Sequence, residues 1–213
     1  NSLRAMTLVI EQSQLMDHGI ILEYQLPLSS QRLDCIICGR NENKTDNAVI
    51  VELKQWEKCG RSSGEREVTT WLGKREKDIL HPSVQVGQYA RYLQSFHTAF
   101  YDGEKPISLA ACAYLHNYNY YADDVLFAEK FDAIVAEFPV FTADDYTKLT
   151  QFLKGRLDKG HGIEVLRRIE GSKYRPSKRL MDHVGNVIKG NPEYVLLDEQ
   201  LVVYDKIFSL ARS

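Results

Sequence analysis

From residue 20 to residue 121 apolar positions alternate with polar ones or cluster in short runs, and the runs read as strands around a single helix. Residues 20–26 (IILEYQL) are strand-like and stop at Pro27, which has no amide to give a ladder. Residues 32–38 (RLDCIIC) make a second strand, ended by Gly39. Beyond a polar turn, residues 48–56 (AVIVELKQW) make a third, so the two form a hairpin. Residues 57–80 are polar, contain Gly60, Gly64 and Gly73, and read as loop or short strands. Pro82 then opens a helix at a position that needs no amide donor. Along that helix Gln85, Tyr89, Tyr92 and Phe96 recur on one face. Residues 107–114 (ISLAACAY) are continuously apolar, as in a buried strand. The order β-β-β-α-β, with a helix in front, predicts an α/β fold on a mixed sheet. After Tyr121 the pattern turns helical, which sets a core over 1–122 and a helical extension over 123–213.

Composition narrows the class. The 213 residues are 44% hydrophobic with a net charge of -2, so neither a disordered chain nor a uniformly basic nucleic-acid coat fits. The longest apolar stretch, 107–115, is interrupted by Ser108 and is far shorter than a bilayer requires, so no membrane partner is expected. The first residues lack the basic-then-apolar layout of a signal peptide. Four cysteines in this length do not make a disulfide framework, which points to a reducing, cytoplasmic setting. Cys35 and Cys38 are three apart in a strand and so on opposite faces, a core arrangement rather than a metal clamp. The charge is segregated: 123–145 carries a net -6, and 154–189 a net +6. In the latter, Arg167, Arg168, Lys173, Arg175, Lys178 and Arg179 either track a phosphate backbone or form a solvated helical face. Tyr114, Tyr118, Tyr120 and Tyr121 with His116 either stack bases or pack at a strand end.

The residues that carry chemistry lie on the hairpin. Ile50, Glu52 and Lys54 share one face of their strand, while Val49, Val51 and Leu53 share the other. A carboxylate and an ammonium therefore point into the same space. Asp34 lies mid-strand between Leu33 and Cys35, where a charge is costly unless paired or bound to a metal. Strand pairing brings it toward Glu52. Two carboxylates with a free backbone carbonyl suit Mg²⁺ or Mn²⁺. Lys54 would sit beside them as a point charge for a developing oxyanion.

Taken in order, Asp34, then Glu52-Leu53-Lys54, then Gln85-x-x-x-Tyr89 resembles the PD-(D/E)xK restriction-endonuclease-like superfamily, in its RecB-type, QxxxY-bearing form. The resemblance implies a Mg/Mn-dependent deoxyribonuclease, a hydrolase of ester bonds in DNA, with RNA a possible substrate. Asp34 and Glu52 would bind the metal, Lys54 would assist the attacking water, and Gln85 and Tyr89 would support the site from the helix. An additional acidic residue of that superfamily would map to Glu11 or Glu23, or lie before Asn1. The segments LEYQLPLSSQRLD, VIVELKQW, HPSVQ, CAYLHNY, PSKRL and LLDEQ are similar to the N-terminal region of Schlafen-type bacterial DNA/RNA helicases. That similarity implies a fused or associated helicase ATPase as partner, with Gln200 near adenine. The apolar repeat Leu197, Leu201, Tyr204 and Phe208 would pack on that partner. No P-loop motif occurs in these residues. The competing expectation is a nucleic-acid-binding or regulatory module of a helicase that lacks turnover.

Overall fold

The computed structural model describes residues 2–188 other than Met16, Leu28, Ser30 and Lys74, with the backbone alone for Arg179, His183 and Val187. Helix α1 (Ser2–Gln12) precedes strands β1 (Gly19–Gln25), β2 (Arg32–Arg40) and β3 (Asp46–Lys54). Three short strands follow: β4 (Cys59–Arg61), β5 (Glu67–Leu72) and β6 (Arg75–Leu80). Helix α2 (Pro82–Phe96) leads to β7 (Ser108–Leu115), α3 (Asp132–Glu137) and β8 (Val140–Thr142). Helices α4 (Tyr146–Leu157), α5 (Gly162–Glu170) and α6 (Lys178–Ile188) complete the described chain. The main sheet is mixed, in the order β1-β2-β3-β7-β8, antiparallel from β1 to β3 and parallel from β3 to β8. The fold is therefore α/β, with helices on both faces of the sheet.

Alternation along the strands builds the two faces, except at Asp34, where β2 breaks step and Leu33 joins the face of Ile36 and Cys38. Leu33, Ile36, Cys38 and Ile50 pack with Val86, Tyr89 and Leu93 of α2 and Val165 and Ile169 of α5. On the opposite face Cys35, Ile37, Val49, Val51 and Leu53 pack with Met6 and Val9 of α1 and Leu149, Leu153 and Leu157 of α4. Cys35 and Cys38 thus fall in different cores, and burial pushes both thiols up to about 12, which keeps them from acting as thiolates. Seven of the nine residues of β3 are buried, as a strand covered on both faces requires.

Residues 57–80 take the short-strand form of the two expected: an antiparallel sheet, β4-β5-β6, which turns only a few apolar side chains inward and so gives a weak periodic signal. Strand β2 does not stop at Gly39; it runs to Arg40, because the absent side chain lets the end of α4 cross, a Cβ there meeting the Leu157 carbonyl oxygen at 3.0 Å. Gly87 accommodates the ring of Phe138, a Cβ there meeting its Cδ2 at 2.8 Å. The boundary at 122 does not divide compact units. The first unit is Asn1–Arg175, since β8 extends the sheet beside β7 and α4 and α5 cover its faces.

The second unit is Pro176–Ser213. Its described helix, α6, begins beside Ser177, whose Oγ accepts the Leu180 amide at 3.2 Å. The apolar repeat from Leu197 to Phe208 and Gln200 lie outside the described residues. Among the described residues no helix is long and apolar enough to cross a membrane.

Candidate functional site

The hairpin of β2 and β3 holds its register from Arg40↔Asp46 to Cys35↔Val51, and the pairing ends there, short of Asp34 and Glu52. There the ladder gives way to a side chain. Asp34 Oδ2 accepts the Leu53 amide at 2.8 Å, standing where a backbone carbonyl would otherwise be. The carboxylate is thereby fixed at the fork between the strands. It lines a cleft of about 220 Å³ together with Ser2, Leu3, Glu23, Leu53 and Gln55.

Glu52 and Lys54 project from the same strand two residues apart, at the carboxyl ends of the parallel strands β3 and β7. Lys54 Nζ donates to Glu52 Oε1 at 2.8 Å and lies 5.7 Å from the centroid of the Trp56 ring. Glu52 is 4% exposed, and its second oxygen, Oε2, is buried with no hydrogen-bond partner among the described residues. Burial pushes the Glu52 carboxyl up, Lys54 pulls it down, and the Asp34 charge adds to the rise; the net direction is upward. A buried carboxylate with one bare oxygen is the costly element of this neighbourhood.

Helix α2 brings its first turn to the same end of the sheet. His81 accepts the Ser83 amide on Nδ1 at 3.1 Å, so Nε2 carries the proton and donates to the Leu126 carbonyl at 3.0 Å. Its ring stacks on Phe131 at 4.1 Å. Leu126 and Phe131 belong to the apolar cluster that includes Trp56, Ala113 and Leu115, beside Glu52 and Lys54. His81 is therefore a buried helix cap, as its place before Pro82 suggests. Gln85 follows one turn later and donates through Nε2 to the Tyr89 hydroxyl at 2.8 Å. The buried face of α2 is centred on Val86, Tyr89, Ala90 and Leu93, with Gln85 at its margin.

Of the two acidic candidates for a supplementary ligand, Glu11 is at the far end of α1 from Ser2, roughly 14 Å along the axis. Glu23 is in the cleft with Asp34. It adopts φ +52° in the middle of β1, between the paired residues Leu22↔Cys35 and Tyr24↔Leu33. A non-glycine residue held in the left-handed region costs about 1–3 kcal/mol, and such strain gathers at functional sites. Glu23 Oε2 also meets Arg32 Nη1 at 3.3 Å, with both side chains largely exposed.

The basic residues are elsewhere. Arg168 on α5 bonds Asp46 at the start of β3 and donates to the Lys105 carbonyl at 2.7 Å. Asp46 and Lys54 are eight residues apart in one strand, roughly 26 Å. Arg175 pairs with Asp102, and its amide donates to the Phe96 carbonyl at 2.7 Å, at the last turn of α2. Lys173 follows the same course, its amide donating to Thr98 Oγ1 at 3.0 Å. Arg167 is exposed with no side-chain partner among the described residues. Lys178 and Arg179 belong to α6 in the second unit. Arg168 and Arg175 thus form surface ion pairs at the sheet end remote from Glu52. Of the aromatic group, Tyr114 and Tyr118 are core residues, whereas Tyr120 and Tyr121 are 58% and 44% exposed. Sequence patterns gave no sign of the Leu53 amide as the anchor for Asp34, since a backbone partner has no residue type to mark it.

Comparison of the chain with protein-family models, with curated proteins and with solved structures gives no match.

Proposed function

We propose that this chain is a metal-dependent nuclease domain of the PD-(D/E)xK kind, hydrolysing phosphodiester bonds in DNA. The observation that carries the reading is Glu52. Its carboxylate is buried, takes Lys54 on one oxygen at 2.8 Å, and leaves the other oxygen bare one residue from the amide that anchors Asp34. A fold gains nothing in stability from such a carboxylate, whereas a hard divalent cation would use it. The described residues contain no group of three or more His, Cys, Asp or Glu side chains arranged for a metal. Two carboxylates, Asp34 and Glu52, fit Mg²⁺ or Mn²⁺, which keep much of their coordination for water and substrate phosphate. Such an ion, when bound, polarises the phosphoryl group and acidifies water.

The protein's own residues divide the remaining work. Lys54, fixed by Glu52, would supply an ammonium for the negative charge on the phosphoryl oxygens. The Leu53 amide holds Asp34 in place, and the Gln85–Tyr89 bond fixes the polar margin of α2. The similarity of LLDEQLVVYDKI to the segment before a helicase P-loop supports a nuclease–helicase fusion, in which a P-loop motor feeds strand to this domain. A second reading, a binding or regulatory module without turnover, has support from Glu52, which is absent from the lining of the cleft where Asp34 opens.

Calorimetry with Mn²⁺ tests the proposal apart from turnover. Binding that Asp34→Ala or Glu52→Ala removes is expected. Binding unchanged in both variants would place the ion elsewhere.

A further inference from the structure

The small sheet β4-β5-β6 leaves the main sheet at Lys54 and returns to it at Pro82, so its two attachments flank the Glu52–Lys54 end of β3. Its register fixes which side chains share a face. Cys59, Thr70 and Lys77 form one cross-strand row; Arg61, Val68 and Ile79 form the next, and Leu72 and Arg75 the outermost. Alternation places all of these on one face, and Gly60, Glu67, Thr69, Trp71, Glu76, Asp78 and Leu80 on the other. The charges separate completely. Arg61, Arg75 and Lys77 occupy the first face, which has no acidic residue; Glu67, Glu76 and Asp78 occupy the second, which has no basic one.

The basic face is the inward one. Cys59, Val68 and Ile79 pack against Trp56, Ala113 and Leu115, and Ala113 and Leu115 stand in register beside Glu52 and Lys54. Along β6 from Ile79, Lys77 stands in the row of Cys59 and Arg75 one row farther out, roughly 7 and 13 Å away. Arg61, Arg75 and Lys77 are exposed, and none has an ion-pair partner among the described residues. At the β4 edge Tyr121, 44% exposed, donates its hydroxyl to the Cys59 carbonyl at 3.2 Å, in the row that ends at Lys77. Three unneutralised cations on the face that meets the candidate site, and an exposed ring at its β4 edge, match a polyanion with flat bases.

We infer that the Arg61, Arg75 and Lys77 face, with Tyr121, binds a single strand of nucleic acid and leads it to the Glu52–Lys54 end of the sheet. The cations contact phosphates and the tyrosine ring stacks an unpaired base. The acidic face, including the exposed Trp71, stays free of the strand. This inference rests on the nuclease reading for its destination, though not for its charge pattern.

The experiment is fluorescence anisotropy of the protein with a labelled 20-nucleotide single strand, in EDTA so that nothing is cleaved. Combined reversal, Arg61→Glu, Arg75→Glu and Lys77→Glu, is expected to weaken binding at least tenfold. Loss of three phosphate contacts should flatten the logarithmic salt slope by about 2. Tyr121→Ala should weaken binding about fivefold or more. The opposite-face pair Glu76→Gln and Asp78→Gln should bind as the wild type does, and a blunt duplex of equal length should bind more weakly than the single strand. Full affinity in the triple reversal, equal loss in the opposite-face pair, tighter duplex binding, or no binding by the wild type would each overturn the inference. Strand binding on this face by a protein that never cleaves with Mn²⁺ would leave it standing and remove the nuclease reading alone.

Discussion

Replacing Glu52 with glutamine should make the metal-free protein more stable at neutral pH. The side chain is 4% exposed, and moving a carboxylate out of water costs several kcal/mol. Lys54 at 2.8 Å returns about 6 kcal/mol of attraction at an effective dielectric constant of ~20. The remaining oxygen has no partner, and Asp34 adds like charge. The carboxyl is pushed upward in spite of Lys54, so burial and Asp34 outweigh the ion pair. In Glu52→Gln the amide oxygen can still accept from Lys54 while the charge is gone. The expected gain at pH 7 is about 1–3 kcal/mol, the usual cost of a buried polar group left unsatisfied. For a chain of this size that raises the melting midpoint by roughly 2–4 °C per kcal/mol. The sign with pH follows from the upward direction. A carboxyl that releases its proton less readily when folded favours the folded state in acid and loses that contribution as pH rises through its folded titration. The variant's advantage should therefore vanish near pH 4 and grow toward pH 7. Thermal melts of both proteins across that range, in EDTA, read it directly. Mn²⁺ should then raise the midpoint of the wild type and leave the variant unmoved. A Glu52→Gln protein less stable than the wild type by the same amount at every pH would refute the reasoning, because it would make the Lys54 pair the dominant energy.

Two further outcomes test the frame around the site. A methyl group on Gly162 would overlap the Gly19 nitrogen, the His18 carbonyl carbon and the Cys38 oxygen, all backbone. Gly162→Ala should therefore cost about 3 kcal/mol or more by denaturant titration, against near-neutrality for Gly155→Ala, whose Cβ meets nothing within 4 Å. His81 and His97 are both buried, and desolvation lowers each to about 4 from an ordinary 6.5. The unfolded chain takes up these protons first, so stability is full above pH 6.5 and is lost as pH falls toward 4; His97→Asn should flatten that limb, and an unchanged slope would contradict the assignment.

The elements with strong periodicity were legible in the sequence. Residues 20–26, 32–38 and 48–56 became β1 to β3 within a few residues, because one buried side fixes a strand's register. Pro82 marked the start of α2 because its missing amide is harmless only there. The pairing of Glu52 with Lys54 followed from alternation alone. What escaped was held by longer-range terms. The three-residue β8 is too short to show a period, and it exists because β7 offers it a parallel edge. The pairing of the short strands of 57–80 into one sheet escaped because its faces differ in charge more than in hydrophobicity. Arg168 and Arg175 carry ion-pair partners, Asp46 and Asp102, that lie 122 and 73 residues distant. Composition cannot register such partners.

The most direct test of the central claim is cleavage itself. The protein, its Glu52→Gln variant and its Lys54→Ala variant would be incubated with end-labelled single- and double-stranded DNA and RNA, with Mg²⁺, Mn²⁺ or EDTA. The account predicts metal-dependent cleavage of DNA by the wild type, abolished in EDTA and reduced at least a hundredfold in both variants, with strand binding retained. Cleavage that survives in Glu52→Gln, or a wild type that binds strand and never cuts it with either ion, would contradict it.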